Sequence, residues 1–385
     1  MRIATPLLIL TVLAAATCRA EENSAVSTKS EAAKAAGADT AEVQLAVEKG
    51  LFFVERTAMK WWNRKKCASC HEGPMLLFSH NVAKRQGIPV DQKKLDFWTD
   101  RWVITDGLVH SRKSDQRKDA GGMVGAPFTL LFRDLDGDQK QPRAKNFGKL
   151  MQIAGKDWHH EDGSWDIKVK LDYTPWITMA LESYEKSDMP LSEEVRKEIK
   201  ERRERTEKWI DSKEHPFPEI TEDLAAWLVY ETHRKNKKRS EKLLTELLNR
   251  QRDDGLWGIT IESEKGHQLV TATVLFALVS SGFDTTHPVV ARTQRLILDN
   301  QKEDGRWIEG GRIFDDGSEP GNLVYNMWVT AYSCAALSKT IKLPEGTKPL
   351  FVRDAKLVAQ SDRFAKEAAK GYTGTKANPE AEKVD

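Results

Sequence analysis

QRDDGLWG at residues 251–258, with its echo QKEDGRWI at 301–308, is the stretch that decides the fold. Aligned at a period of 50, the two match Gln to Gln, Asp-Gly to Asp-Gly and Trp to Trp. A third D-G-x-W stands at Asp162, Gly163 and Trp165; the 92 residues from Asp162 to Asp254 are close to two periods. A fixed period of this size signals stacked supersecondary units, none of which buries its apolar face alone.

Each unit reads as a helical hairpin. Before Gln251, Leu243, Leu244, Leu247 and Leu248 form a helical stripe behind an N-cap at Ser240. After Trp257 comes TATVLFALVSSG, a largely apolar helix that Gly282 ends. The next unit repeats the pattern with VTAYSCAAL. The preceding unit carries Val195, Ile199 and Trp209 on a charged helix begun by Ser192, with TEDLAAWLVY as partner. Extended backwards, the period predicts an all-α body over 41–345 of about six hairpins: 41–88, 90–140, 142–187, 190–236, 240–283 and 288–342.

The first unit differs where its loop should be. Val43, Val47, Leu51 and Val54 have helical spacing, and LLFSHNVAKRQG, ending at Gly87, resembles a second helix. Between them lies WWNRKKCASCHEGPM. In Cys67-Ala68-Ser69-Cys70-His71, two thiols three apart can each add to a haem vinyl group, and the adjacent imidazole then ligates the iron. The pentad predicts one covalent haem c, with Cys67 and Cys70 as thioether anchors and His71 as the proximal ligand. A zinc site needs about four ligands, and no second C-x-x-C or H-x-x-x-H is present. A simple disulfide leaves His71 unexplained. For the distal ligand the candidates are Met123, in the glycine-rich AGGMVGAP, and His110; an open sixth site is the third case. Met75 and His80 stand too near the attachment site to reach the opposite face of the haem.

The rest of the chain agrees with haem attachment outside the cytoplasm. MRIATPLLILTVLAAATCRA has the layout of a secretory signal over 1–20, so the expected location is the periplasm. Tethering as a lipoprotein through Cys18 is the alternative, against which Thr17 and Arg19 make a poor lipobox. A flexible leader is expected over 21–40 and a charged tail over 346–385, with one short helix near Phe364. No later segment is apolar enough to span a membrane. Without Arg2 and Arg19 the basic and acidic residues balance at 58 each, which gives no electrostatic case for nucleic acid. Cys334, in AYSCAAL, is expected to be a buried, inert thiol.

The Q-x-x-D-G-x-W loops resemble those of terpene cyclases and prenyltransferases such as squalene–hopene cyclase, clearly over about 240–342. That resemblance implies an α/α toroid, a closed ring of helical hairpins around a central cavity. It also implies that Trp165, Trp257 and Trp307 brace hairpins, with Gln251 and Gln301 contacting Trp rings and helix ends. It does not carry cyclase chemistry over. The aspartate-rich D-x-D-D motif has only DLDGD at 134–138 as its nearest match, broken at Gly137. The D-x-C pair of zinc prenyltransferases fails at Tyr332, two residues before Cys334. Asp134, Asp136 and Asp138 also miss calcium-loop spacing, with Gln139 at the glycine position and Lys145 at the twelfth. His159 and His160 read as solvated loop histidines.

These expectations add up to an exported haem protein that moves single electrons to a redox partner protein or to a small redox-active ligand in the toroid cavity. A haem enzyme, peroxidase-like or quinone-acting, would instead show an open sixth site. A haem-free polysaccharide lyase or glycosidase would show paired carboxylates facing one cavity and a Cys67–Cys70 disulfide.

Overall fold

In the computed structural model the described residues are 38–65, 72–104, 159–165, 172–186, 191–212, 217–308 and 323–370. They form eleven helices and no strand, so the described part of the chain is all-α. The expected signal, the leader up to residue 37, and the tail beyond residue 370 lie outside the described residues.

The helices alternate in character along the chain. α1 (Thr40–Lys65) is followed by α2 (Glu72–Arg85) and α3 (Gln92–Ile104). Then come α4 (Thr174–Glu185), α5 (Glu193–Ser212), α6 (Thr221–His233) and α7 (Lys237–Asn249). α8 (Gln268–Ser280), α9 (Pro288–Asp299), α10 (Leu323–Lys339) and α11 (Ala355–Lys370) complete the order. α7 buries only Leu243 and Leu247, one stripe, whereas α8 is buried from Gln268 through Leu278 on every face. A helix apolar all round has to be enclosed by others, and a striped one lies against them. α2, α8 and α10 meet through Phe78, Phe276 and Tyr332, with Phe78 5.4 Å from Phe276 and 5.0 Å from Tyr332.

Neighbours follow hairpin order, with α4 beside α6, α6 beside α8 and α8 beside α10. α10 in turn packs on both α1 and α2, so the last described hairpin lies against the first. Arg295 of α9 adds a bidentate pair to Glu42 of α1 at 2.8 and 2.7 Å.

The repeated loops make equivalent bonds 50 residues apart. Trp257 Nε1 donates to Leu247 O and Trp307 Nε1 to Ile297 O, at 2.7 and 2.6 Å. Their backbone N–H groups donate to Thr271 and Thr330, both at 3.0 Å. Each Trp therefore ties the end of the helix before its loop to the helix after it, α7 to α8 and α9 to α10. Gln251 and Gln301 donate back to Gly255 and Gly305, both at 3.0 Å, and Gln301 also reaches Ala46 O of α1 at 2.8 Å. Gly255 and Gly305 hold φ of 83° and 91°, a conformation that suits glycine. A Cβ would meet Arg292 of α9 in the first case and the Lys49 carbonyl of α1 in the second.

Three local expectations are revised. α7 begins one turn before Ser240: Asn236 is the N-cap, accepting from Arg239 N, and Ser240 Oγ donates to Asn236 O within the first turn. Ser192 and Gly282 do bound α5 and α8 as expected, Ser192 Oγ accepting from Val195 N and Gly282 holding φ 83°. His159 is buried rather than solvated, its ring stacked on Trp165 at 4.4 Å, because it occupies the Gln251 position of its loop. Only His160 is exposed. Finally, the helix around Phe364 belongs to the body, since α11 packs on α1. The cause is Glu55, 1% exposed, which takes Lys94 at 2.6 Å and Arg353 at 3.1 Å and so anchors the approach to α11.

Candidate functional site

Cys67, Cys70 and His71 lie outside the described residues, as do His110, Met123 and the Asp134–Asp136–Asp138 run. Both flanks of the pentad are described. α1 ends at Lys65, and α2 begins at Glu72 with every side chain from Glu72 to Ala83 buried. The pentad thus joins two helices that pack on each other and on α10. Cys334 matches its expectation: it is a free, fully buried thiol whose pKa burial pushes far up.

Within α2, Met75 is fully buried core. His80 is 1% exposed, and its Nδ1 lies 2.9 Å from Leu76 O. A carbonyl only accepts, so Nδ1 carries the proton and Nε2 keeps its lone pair. That Nε2 is buried and has no hydrogen-bond partner among the described residues. Trp98 meets the ring edge-on at 5.2 Å. Burial, then the Arg353 charge, pulls the His80 pKa down to about 3, against a small rise from the Leu76 bond and a further drop from Lys94.

This makes a prediction about acid. Below about pH 6.5 the unfolded chain takes up a proton that folded His80 refuses until about 3, so stability falls as pH drops through that window. The full cost is on the order of 4 kcal/mol. His80→Phe is expected to flatten the pH dependence of urea midpoints between pH 6 and 4 by close to one proton. An unchanged slope would mean that His80 is protonated in the folded state.

A second polar group was not anticipated. The Asp172 backbone N–H donates to Asp223 Oδ1 at 2.8 Å. The Asp172 carboxylate accepts from Thr174 N at 2.9 Å and from Trp227 Nε1 at 3.0 Å. Tyr173 and Tyr332 are buried nearby, and burial with the neighbouring acidic charges raises both phenols. Burial pushes Asp223 up to about 7, the Asp172 N–H opposing and the Asp172 charge assisting. A carboxyl that keeps its proton near neutrality beside a second carboxylate is equipped for acid–base work. The available signal was position: Asp172 and Asp223 are 51 apart, the first two residues before α4 and the second in the first turn of α6.

Between about pH 4 and 7 the unfolded chain releases the Asp223 proton while the folded chain holds it, so stability declines as pH rises and the deficit is complete above 7. Asp223→Asn keeps the acceptor for Asp172 N–H and removes the charge. It is expected to stabilise the protein at pH 8 by on the order of 3 kcal/mol and to be close to neutral at pH 4. Thermal melts at the two pH values check this, and equal shifts at both would refute it.

Among the described residues, no group of three or more His, Cys, Asp or Glu is arranged to hold a metal ion. Among them, too, no helix is long and apolar enough to cross a membrane. No protein-family model matches the chain, and no curated protein matches it in sequence.

Proposed function

We propose that this chain is an exported c-type haem protein that transfers single electrons, built as an α/α toroid of six hairpins. The observation that carries the function is the pentad Cys67-Ala68-Ser69-Cys70-His71, in the connection between α1 and α2. Its donor set, two thiols and one imidazole, suits haem c, and the group when bound would exchange one electron at iron. Cys67 and Cys70 would hold the porphyrin, and His71 would ligate the iron from a position next to a helix buried from its first residue. Met123 or His110 would complete the iron. His80, only nine residues after His71, stands too near the attachment site to reach the opposite face of the haem.

Support for the ring comes from the stepping of the loops. Gly163 presses on Arg205 and Trp209 of α5, Gly255 on α9, and Gly305 on α1, so the last hairpin reaches back to the first. A redox partner protein, or a small ligand in the ring's cavity, would be the electron acceptor or donor.

The test is a pyridine haemochrome spectrum of protein exported from a host with c-type maturation, after acid–acetone extraction of loosely bound haem. A persistent thioether-type α band is expected. A colourless protein with a Cys67–Cys70 disulfide would overturn the haem assignment. The Asp172–Asp223 pair favours the second reading, a haem-free polysaccharide lyase or glycosidase, since a buried carboxyl that holds its proton near neutrality serves that acid–base chemistry. Polysaccharide cleavage lost in Asp223→Asn, by a colourless protein, would support it.

A further inference from the structure

A cavity of about 260 Å³ lies between α1, α3 and α11. Met59 of α1, Phe97 and Trp98 of α3 and Ala365 of α11 form its apolar walls. Two of those walls are held from behind. Phe97 is tilted against Trp62 at 6.1 Å, and Trp98 takes the His80 ring edge-on at 5.2 Å. The cavity is therefore shaped by packed side chains.

Its charges are unequal in an informative way. Glu55 is matched by Lys94 and Arg353, and Asp362 by Lys94 at 2.7 Å. Lys93 and Lys366 also line the cavity, both exposed, and neither has a protein partner among the described residues. Two ammonium groups without partners thus stand at the rim of an aromatic slot whose own carboxylates are neutralised. A cavity of roughly 150 Å³ accommodates benzene, so this one has room for a single ring with a short polar substituent and little more.

We propose that this cavity binds a small single-ring aromatic carboxylate. The ring would lie among Trp98, Phe97, Met59 and Ala365, and the carboxylate would meet Lys93 and Lys366. Aromatic and thioether surfaces favour a flat ring over an aliphatic chain of equal volume. The two cations set the sign of the substituent. The proposal is independent of the haem assignment.

The probes are benzoate and its cationic counterpart benzylamine, titrated calorimetrically at low salt into the full-length exported protein. Benzoate is expected to bind saturably at one site, with benzylamine weaker by roughly tenfold or more. Lys93→Gln with Lys366→Gln is expected to weaken benzoate at least about fivefold and to erase the preference between probes. Ala365→Leu fills the slot and is expected to abolish binding of both. No saturable heat, equal affinity for the two probes, or wild-type benzoate binding by the double Lys variant would each overturn the proposal. Because Lys93 and Lys366 are exposed, that variant decides the matter even if Ala365→Leu fails to fold.

Discussion

Cys67→Ala combined with Cys70→Ala is expected to abolish covalent haem completely while leaving the helical body folded. Without either sulfur no thioether forms, and any haem left on His71 is extractable with acid–acetone. The body should survive because its helices have extensive contacts of their own. α1 and α2 pack on each other and on α10, and Trp257 and Trp307 make their bonds within the later hairpins. The measurement is a haemochrome spectrum with far-ultraviolet circular dichroism and a thermal melt on the same sample. Covalent haem retained by the double variant would sink the assignment. Retained haem-free folding together with an unchanged second activity would point to the Asp172–Asp223 pair instead.

Trp307→Ala is expected to cost about 4 kcal/mol, the middle of the range for a buried aromatic. The ring is fully buried, its Nε1 donates to Ile297 O at 2.6 Å, and its removal leaves a cavity and takes one of two donors from that carbonyl, which keeps the Asn300 N–H at 3.2 Å. Where the cavity opens is informative, because Trp307 faces Gly50 of α1, 257 residues earlier. A Cβ at position 50 would lie 2.4 Å from Cys334 Sγ and 2.8 Å from Trp307 Cζ3, both too close to stand. Gly50→Ala is therefore expected to destabilise by about 1–3 kcal/mol despite the better helix propensity of alanine. Cys334→Ala should recover part of that loss, giving a coupling of about 1 kcal/mol in a double-mutant cycle of urea denaturation. Additive effects would mean that the first and last hairpins do not meet at this point, and the ring proposal would lose its closing contact.

The repeat was legible because its chemistry is local. An Asp-Gly turn with glycine at positive φ, a Trp six residues after a Gln, and an apolar helix behind them recur at one period and need no distant partner to be recognised. The degenerate copy was read less well. His159 holds the Gln251 position, yet two adjacent histidines in a loop look solvated until the stack on Trp165 and the contact with Thr206, 3.2 Å from Nε2, are known. The Asn236 cap was missed for a similar reason, since Ser240 is also a good capping residue and only backbone geometry selects between them. Asp172 and Asp223 carry no motif, because what sets them apart is the burial of Asp223 and its bond from the Asp172 N–H, neither of which is written in residue spacing.

Sequence by itself determined the helical class, the repeated Asp-Gly-x-Trp loops and the CASCH pentad, all of which are written in residue spacing along one chain. Tertiary structure alone decided which hairpin lies beside which, that Glu55 draws α11 onto α1, and that His80, Asp223 and the slot at Trp98 have unusual surroundings. The physical reason is that burial and long-range charge depend on groups 40 to 300 residues away, such as Lys94 and Arg353 on Glu55, and no local pattern encodes such distances.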